Sequence, residues 1–366
     1  MNKSMYKMPG LILNSFFLKK EPISVIHFVT NRCNARCEHC FVDINNQSVS
    51  KNELSLDDIE RMTKTFGKSL FNVNLTGGEP FLRKDMFDIA RAYFTTTNIQ
   101  SLFITTNGFF TDRIHDFLES FVSSNIKGKV TFQFSIDNFE EEHDKNRGVE
   151  GLFRKVLDSY HLVKSYKNVN IMPNICITIA HHNYHNVLKL YAYLKSLGID
   201  SCTATIMREA GVVREINSDV KTEILESYIN LTKEMRRDQL SGVTKGFEKH
   251  FQGRLMNSKN ILVSKIVAET YIKKKFIVNC SAASLFGVIY ANGDVYPCEI
   301  LNDKNLGNLR DYDMDFMKLW QNKQVTDCKE FIKNTKCACT YECVWSVNAI
   351  SNPKFIIPML YNAVKF

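Results

Sequence analysis

The sequence predicts an α/β protein in which a partial (β/α)6 TIM-like barrel is followed by a small C-terminal α+β domain. Strand-like and helix-like segments alternate six times between residues 23 and 207, and repeated strand–helix units imply parallel strands joined by right-handed crossovers. After residue 210 the alternation stops, and Asn292-Gly293-Asp294 gives a tight-hairpin signal. A doubly wound open sheet would show the same alternation, so the barrel is one of two possible arrangements.

The predicted strands are short β-rich runs bounded by polar or glycine residues. They cover residues 25–30, 72–76, 101–106, 129–136, 169–179 and 200–207. Ser55 is expected to cap a helix over 55–66, and residues 218–240 form a long amphipathic helix. The predicted domains are an N-terminal extension, the barrel, and a helical linker joined to the C-terminal domain. They cover residues 1–22, 23–215 and 216–366 respectively.

Composition narrows the class of protein. The 366 residues carry a net charge of +8, from 47 basic and 39 acidic residues, without a dense Lys/Arg block, so no nucleic acid is expected as a partner. The sequence contains no run of 18 apolar residues, so no membrane span is expected. The 11 cysteines and the lack of a secretion signal indicate a cytoplasmic protein. They favour metal or cluster ligation over a disulfide framework.

Polar or glycine residues end most of the predicted strands, as expected for an active site built from the loops after barrel strands. Turn chemistry would explain any one of them, but together they suggest a common mouth. The strand ends carry Gly77-Gly78-Glu79-Pro80, Asn107-Gly108, Ser135-Ile136-Asp137 and Met207-Arg208.

The first strand runs into three cysteines spaced C-x3-C-x2-C. Cys33, Cys37 and Cys40 offer three thiolates, whereas an ordinary electron-transfer cubane uses four. Three ligands leave one iron open, and the alternative is a zinc site completed by His39 or His27. The GGEP turn that follows the second strand favours the open cluster, because glycines allow close backbone approach to a ligand and a carboxylate accepts hydrogen bonds from an ammonium group.

These motifs together resemble those of the radical S-adenosylmethionine (radical SAM) enzymes, over roughly residues 22–210. The resemblance implies a [4Fe–4S] cluster on the three cysteines whose open iron binds SAM, and a 5′-deoxyadenosyl radical that abstracts hydrogen from substrate. It also implies SAM contacts, which fall on the methionine amino end, the ribose, and adenine. The residues that match are Gly77, Gly78 and Glu79 for the amino end, Ser135 and Asp137 for the ribose, Asn107 nearby, and His39 for adenine.

Two arginines have both a functional and a structural interpretation. Arg147 lies in a stretch, HDKNRGVEGLF, that resembles one in the branch with auxiliary clusters. It is expected to pair with the SAM carboxylate, or else with Asp144 or Glu150 at the surface. Arg208 is expected to face SAM or an anionic substrate, or to be structural.

The C-terminal cysteines resemble those of SPASM and twitch extensions, which bind auxiliary [4Fe–4S] clusters. Cys280 and Cys298 flank the hairpin in a C-x12-G-x4-C layout. The full SPASM pattern is incomplete here, so the resemblance implies one auxiliary cluster held by Cys280, Cys298, Cys343 and either Cys339 or Cys337. Zinc ligation and unused thiols are the alternatives. Three further cysteines are expected to be core residues or non-ligands: Cys176, Cys202 and Cys328.

The resemblance implies an oxidoreductase-type enzyme that receives electrons from a flavodoxin or ferredoxin. Its relatives either oxidise sugar- or cyclitol-like small molecules or modify ribosomal peptides. Only 24 residues precede the first predicted strand, too few for a leader-binding module, which favours a small molecule. A peptide maturase, and a non-catalytic iron–sulfur or zinc-binding protein, remain alternatives. No catalytic acid or base is evident, and the histidines at 143, 181, 182 and 185 are expected at the surface or at helix caps.

Overall fold

The computed structural model describes residues 8–209, 216–245, 251–273 and 275–364. Its strands are β1 Ser24–Thr30, β2 Asn72–Gly77, β3 Ser101–Thr106, β4 Lys129–Ser135, β5 Ile171–Ile179, β6 Cys202–Ile206, β7 Phe286–Ile289, β8 Asp294–Tyr296 and β9 Gly307–Asn308. Its α-helices are α1 Met8–Leu13, α2 Gln47–Lys51, α3 Leu56–Thr63, α4 Met86–Thr96, α5 Thr111–Ser123, α6 Glu140–Arg147, α7 Leu152–Ser165, α8 Val187–Ser196, α9 Ser218–Ser241, α10 Phe251–Lys273, α11 Phe316–Trp320, α12 Lys323–Asn334, α13 Glu342–Ser351 and α14 Pro353–Val364.

The six predicted barrel strands form one parallel sheet in sequence order. The strand order of the whole sheet is β6-β5-β4-β3-β2-β1-β7-β8-β9. Because each crossover moves in the same direction, its right-handedness places the helices on one face of the sheet. The unclosed partial barrel is therefore confirmed, and the doubly wound alternative is wrong.

The C-terminal hairpin extends the barrel sheet. Strand β7 pairs in parallel with β1, from Ser24 opposite Phe286 to His27 opposite Ile289, and antiparallel with β8. The turn between β7 and β8 uses Gly293 at a φ of +90°, a conformation that suits glycine. The predicted hairpin is confirmed, and its strand continues the barrel instead of forming a separate sheet.

The two faces of the sheet differ in polarity, as β4 illustrates. Val130, Phe132 and Phe134 are fully buried against the helices. Gln133 and Ser135 point to the other face and line a cavity. Alternation of this kind leaves a polar interior in the half-barrel, while the apolar outer face forms the core.

Local capping also follows the sequence prediction. The Ser55 Oγ accepts a hydrogen bond from the Asp58 N–H at 3.1 Å, and the Asp58 carboxylate accepts one from the Ser55 N–H at 3.0 Å. This is a reciprocal capping box at the start of α3. The predicted domain boundary at residue 215 lies outside the described residues. No helix in the described ranges is long and apolar enough to cross a membrane.

A buried polar pair ties β1 to α4. The His27 Nδ1 lies 2.9 Å from the Tyr93 hydroxyl, and both residues are fully buried. Burial lowers the pKa of His27 to about 3, so the ring is neutral at neutral pH. His27 points to the helix side of the sheet, whereas its neighbours Ile26 and Phe28 line the cavity on the other side with the loop cysteines. His27 is therefore not placed to complete a zinc site on that loop.

We expect Tyr93→Phe to lower the free energy of unfolding by about 1–3 kcal/mol, because it leaves a buried imidazole nitrogen without a partner. Chemical denaturation would measure the change. Tyr193→Phe, on a tyrosine that is 37% exposed, is the control and should leave stability nearly unchanged. Equal effects of the two substitutions would contradict this account of the His27–Tyr93 pair.

Candidate functional site

A cavity of about 800 Å³ opens at the carboxyl ends of the barrel strands. It extends past the strand ends to α9 and α10, where Thr232 and Ser264 line it. Most of the predicted site residues converge on it, as expected for this end of a parallel sheet. Those that line it are Cys33, Cys37, His39, Cys40, Gly77, Gly78, Asn107, Ser135, Arg147 and Arg208.

The cysteine loop is held in place by backbone contacts on two sides. The Gly78 N–H donates to the Thr30 carbonyl at 2.9 Å, and the Glu79 N–H donates to the Arg32 carbonyl at 2.8 Å. A Cβ atom on Gly78 would lie 2.2 Å from the Arg32 carbonyl oxygen. On the other side, the Arg36 N–H donates to the Arg147 carbonyl at 2.7 Å.

The three thiols of this loop share an environment suited to a metal centre. Burial and the neighbouring Glu79, Cys37 and Cys40 raise the pKa of Cys33 to about 12. Burial also raises the pKa values of Cys37 and Cys40. A bound cationic centre would supply the charge that keeps such thiols deprotonated.

The spacing of the thiols argues against zinc. Tetrahedral zinc places sulfur ligands roughly 3.8 Å apart. Among the described residues, Glu38, His181 and His182 form the sole group of three or more Cys, His, Asp or Glu side chains whose ligand atoms all lie within 4.8 Å of one another. At least one pair of thiols in the cysteine loop therefore lies more than 4.8 Å apart, wider than tetrahedral zinc places its sulfur ligands.

Asp137 and Arg147 form a buried ion pair beside the cavity. The Asp137 carboxylate is paired with the Arg147 guanidinium, and it also accepts the Thr178 N–H at 2.9 Å. Burial alone would raise the pKa of Asp137, but Arg147 brings it well below its usual range. The surface alternatives for Arg147 are therefore wrong, because its side chain is only 6% exposed and pairs with Asp137.

The two carboxylates predicted to contact SAM, Glu79 and Asp137, are not among the residues that line the cavity. Glu79 is fully buried and accepts hydrogen bonds from the Thr106 hydroxyl and the Phe81 and Asn107 N–H groups, at 2.7–3.0 Å. It thus connects the turn after β2 to the end of β3. Asp137 likewise faces Arg147. Their contacts with SAM stay predictions.

The histidines include one clear correction. His143 is 1% exposed, and its Nδ1 accepts the Asp137 N–H at 3.3 Å. The prediction of a surface or helix-cap position is wrong for His143, because it lies on the inward side of α6 and is buried. His39 lines the cavity, where its ring stacks on His182 with centroids 5.2 Å apart.

The C-terminal cysteines form a second group. Burial first, then Cys339 and Cys337, raises the pKa of Cys280 to about 12. Cys298 has a pKa well above the usual range, from burial and from Cys339 and Cys280. Cys339 thus lies near both hairpin cysteines, which favours it over Cys337 as a ligand. Cys343 lines the cavity.

Arg208 links the cavity to this second group. Its Nε lies 2.6 Å from the Glu299 carboxylate, and its Nη2 lies 3.9 Å from the Cys343 sulfur. The guanidinium also lies over the Tyr341 ring, 4.5 Å from the centroid. The guanidinium also lies 5.6 Å from the centroid of the Phe41 ring, next to Cys40 in sequence. A contact of Arg208 with SAM or with an anionic substrate stays a prediction.

Two family models match the chain. One, described as the radical SAM superfamily, matches residues 28–179, and one described as an iron–sulfur cluster-binding domain, SPASM, matches residues 280–343. The chain belongs to the radical SAM superfamily. It carries a SPASM-type iron–sulfur domain after the barrel. Membership implies a [4Fe–4S] cluster used with SAM, and the SPASM domain implies auxiliary iron–sulfur clusters.

Curated radical SAM relatives include enzymes of different activities. The AdoMet-dependent heme synthase of Methanosarcina barkeri is 24% identical over 301 residues, covering 81% of this chain and 81% of that protein. The GTP 3′,8-cyclase of Vibrio parahaemolyticus is 30% identical over 160 residues, which is 42% of this chain and 46% of that protein.

Solved structures share the fold. The enzyme anSMEcpe with bound AdoMet has a TM-score of 0.60 at 20% identity, covering 94% of this chain and 96% of that chain. Streptococcus suis SuiB bound to S-adenosylmethionine has a TM-score of 0.59 at 17% identity, covering 95% and 78%. These likenesses confirm the radical SAM barrel followed by a C-terminal domain.

Three polar residues of this radical SAM site were not predicted from the sequence. Glu299 and Glu342 line the cavity, and Lys259 lies near Cys343, where burial lowers its pKa to about 8. Glu299 and Glu342 each adjoin a candidate ligand cysteine in the sequence, and this adjacency could have indicated that they lie at the site. Lys259 is on α10, far from any motif, so its proximity depends on tertiary packing.

We expect Asp137→Asn to lower the free energy of unfolding by about 3–5 kcal/mol, because it leaves the Arg147 charge buried without its partner. The folded-state pKa of Asp137 is depressed, so its contribution is complete above the unfolded value of about 3.9 and is lost as pH falls through the folded value. The difference between wild type and variant should therefore shrink below about pH 4.

Chemical denaturation at several pH values would measure this difference. Asp116→Asn is the matched control, since that side chain is 83% exposed, and should change stability by less than about 0.5 kcal/mol. A pH-independent difference would show that the ion pair is not its source.

Proposed function

We propose that this radical SAM enzyme oxidises a hydroxyl-bearing carbon of a polar, sugar- or cyclitol-like small molecule. The observation that carries the proposal is Glu299, a 5%-exposed carboxylate that lines the cavity and directly follows Cys298. Its position offers a proton acceptor next to the expected electron acceptor. Alcohol oxidation needs both, because the carbon and its hydroxyl together lose one hydrogen atom, one proton and one electron.

The cysteine groups would hold the cofactors beside the cavity, one on the loop after β1 and the other around the hairpin of β7 and β8. Cys33, Cys37 and Cys40 are the proposed ligands of the SAM-binding cluster. Cys280, Cys298, Cys343 and Cys339 are the proposed auxiliary ligands, with Cys337 as the alternative to Cys339. When bound, the cofactors supply a carbon-centred radical for hydrogen abstraction and an acceptor for the surplus electron.

Glu299 is suited to take the hydroxyl proton. Burial raises the pKa of Glu299, and Arg208 opposes that rise. A carboxylate whose pKa lies above its usual value is a stronger proton acceptor than an ordinary surface carboxylate. The Arg208 guanidinium, held over Tyr341, also positions the carboxylate toward the cavity. Once Glu299 holds the proton it is neutral, and the Arg208 charge then rests against the Tyr341 ring and near the Cys343 sulfur.

The polar lining supports a hydroxyl-rich substrate. Between the two cysteine groups the strands contribute uncharged side chains with hydrogen-bonding groups. Those that line the cavity include Asn74, Thr76, Thr105, Gln133, Ser135, Thr178, Thr203 and Thr205. Hydroxyl and amide groups both donate and accept hydrogen bonds, as a polyol requires.

Peptide modification is the second candidate. It is supported by the cavity's outer end, which reaches exposed side chains of α9 and α10 such as Lys233 and Lys265, where a longer chain has room to enter. The structural relative SuiB has been solved with its precursor peptide SuiA, at a TM-score of 0.57 and 16% identity. A flavodoxin or ferredoxin as reductant remains a prediction for either reaction.

The class of chemistry is testable with cysteine variants. After anaerobic reconstitution, wild type should hold about eight irons per chain, as two cubanes require, and should form 5′-deoxyadenosine from SAM and dithionite. Cys37→Ala should lose about half of the iron and all nucleoside formation. Cys343→Ala should lose about half of the iron and still form nucleoside.

Cys328→Ala, at a buried non-ligand position, is the control for damage from cysteine removal. Nucleoside formation that survives Cys37→Ala would overturn the radical assignment. An unchanged iron count in Cys343→Ala would overturn only the auxiliary ligand set.

Glu299→Gln should lower coupled substrate oxidation by about 10²–10⁴-fold, the usual contribution of a general base. It should leave substrate-free SAM cleavage intact. Candidate polyols, nucleotide-linked sugars and short peptides, deuterated at the reacting carbon, would be screened by deuterium transfer into 5′-deoxyadenosine. Glu269→Gln, on an exposed cavity-lining carboxylate, is the matched control. Full oxidation by Glu299→Gln would exclude Glu299 as the base.

A further inference from the structure

A cluster of metal-ligand-type side chains lies at the cysteine loop, and none of its members is among the cofactor ligands expected from the sequence. It combines Glu38, from within that loop, with His181 and His182, which follow β5. One ligand atom from each of the three lies within 4.8 Å of the others. The His181 Nε2 and the Glu38 carboxylate are already 3.1 Å apart, close to the separation of two ligands on one metal ion.

His182 provides an independent observation. Both of its ring nitrogens are buried and lack a hydrogen-bond partner in the described structure. A buried polar group without a partner costs about 1–3 kcal/mol, and an unplaced ion or water is a usual explanation.

We propose that Glu38, His181 and His182 bind a divalent transition-metal ion. Two imidazoles and one carboxylate are borderline-to-hard donors that suit zinc, iron, cobalt or manganese and leave further coordination positions open. The side chains of Glu38 and His181 are 57% and 37% exposed, so an ion can enter from solvent.

The site joins two segments that surround the cavity. Glu38 lies between Cys37 and Cys40 in sequence, whereas the histidines belong to the loop after β5. His182 also stacks on His39, and the His39 Nε2 lies 3.5 Å from the Asp137 carboxylate. A bound ion would therefore restrain the cysteine loop against the end of β5 and fix the position of the His39 ring.

Cobalt titration of the reconstituted enzyme tests the site, with iron–sulfur clusters already occupying the cysteines. We expect one equivalent of Co²⁺ per chain, with ligand-field bands of a nitrogen and oxygen site and no thiolate charge transfer. Glu38→Gln and His182→Ala should each weaken binding by at least about tenfold, since even an outer-sphere change typically costs that much. His185→Ala, on an exposed histidine of the same loop, should bind like wild type.

Three results would overturn the proposal: no binding to wild type, equal binding by Glu38→Gln and wild type, or thiolate charge transfer that places the ion on cysteines. Hydrogen–deuterium exchange gives a second readout, with slower exchange expected in residues 33–41 and 180–184 on addition of Zn²⁺. Glu38→Gln alters a solvent-exposed side chain, so its loss of binding would not come from misfolding. The outcome is independent of the substrate and of Glu299.

Discussion

The close backbone contact between the turn after β2 and the loop after β1 is the constraint on which the site depends. Cβ atoms on Gly77 and Gly78 would lie 2.3 Å and 2.2 Å from the carbonyl oxygens of Thr30 and Arg32. Only glycine lets these two backbone segments come this close. The same contact points the cysteine loop over the strand ends, and Glu79 then secures the turn to β3 through the Asn107 N–H.

Charge is organised near both cysteine groups by a buried arginine with a carboxylate partner. Arg147 pairs with Asp137 near the first cysteine group, and Arg208 pairs with Glu299 near the second. Burial raises the pKa values of Cys37 and Cys343, and the nearby arginine opposes that rise in each case, Arg147 at Cys37 and Arg208 at Cys343. Because each arginine is paired with a carboxylate, each pair is close to neutral and places a fixed dipole, not an unbalanced positive charge, beside the thiols.

The local features of the fold could be predicted from the sequence, whereas contacts between residues far apart in the chain could not. The six barrel strands, the Ser55 cap and the hairpin at Gly293 depend on neighbouring residues, so periodicity and turn chemistry were sufficient. The pairing of β7 with β1 joins residues some 260 positions apart, and no local pattern encodes it. The burial of His143 and the partnership of Arg147 with Asp137 likewise depend on how α6 packs against the end of β4.

The continuity of the sheet explains how two cysteine groups far apart in sequence serve one cavity. Strand β1 leads directly into the first group, and β7, its hydrogen-bonded neighbour, begins the hairpin that is flanked by Cys280 and Cys298 of the second group. The Phe28 ring stacks on the Tyr290 ring with centroids 4.7 Å apart, which fixes the two strand ends laterally. The sheet therefore sets the position of Cys280 and Cys298 relative to the cysteine loop, whereas Cys339 and Cys343 come from the segment at the start of α13. In the proposed reaction, a substrate would lie between a first group fixed by β1 and a second group assembled by the hairpin and α13 together.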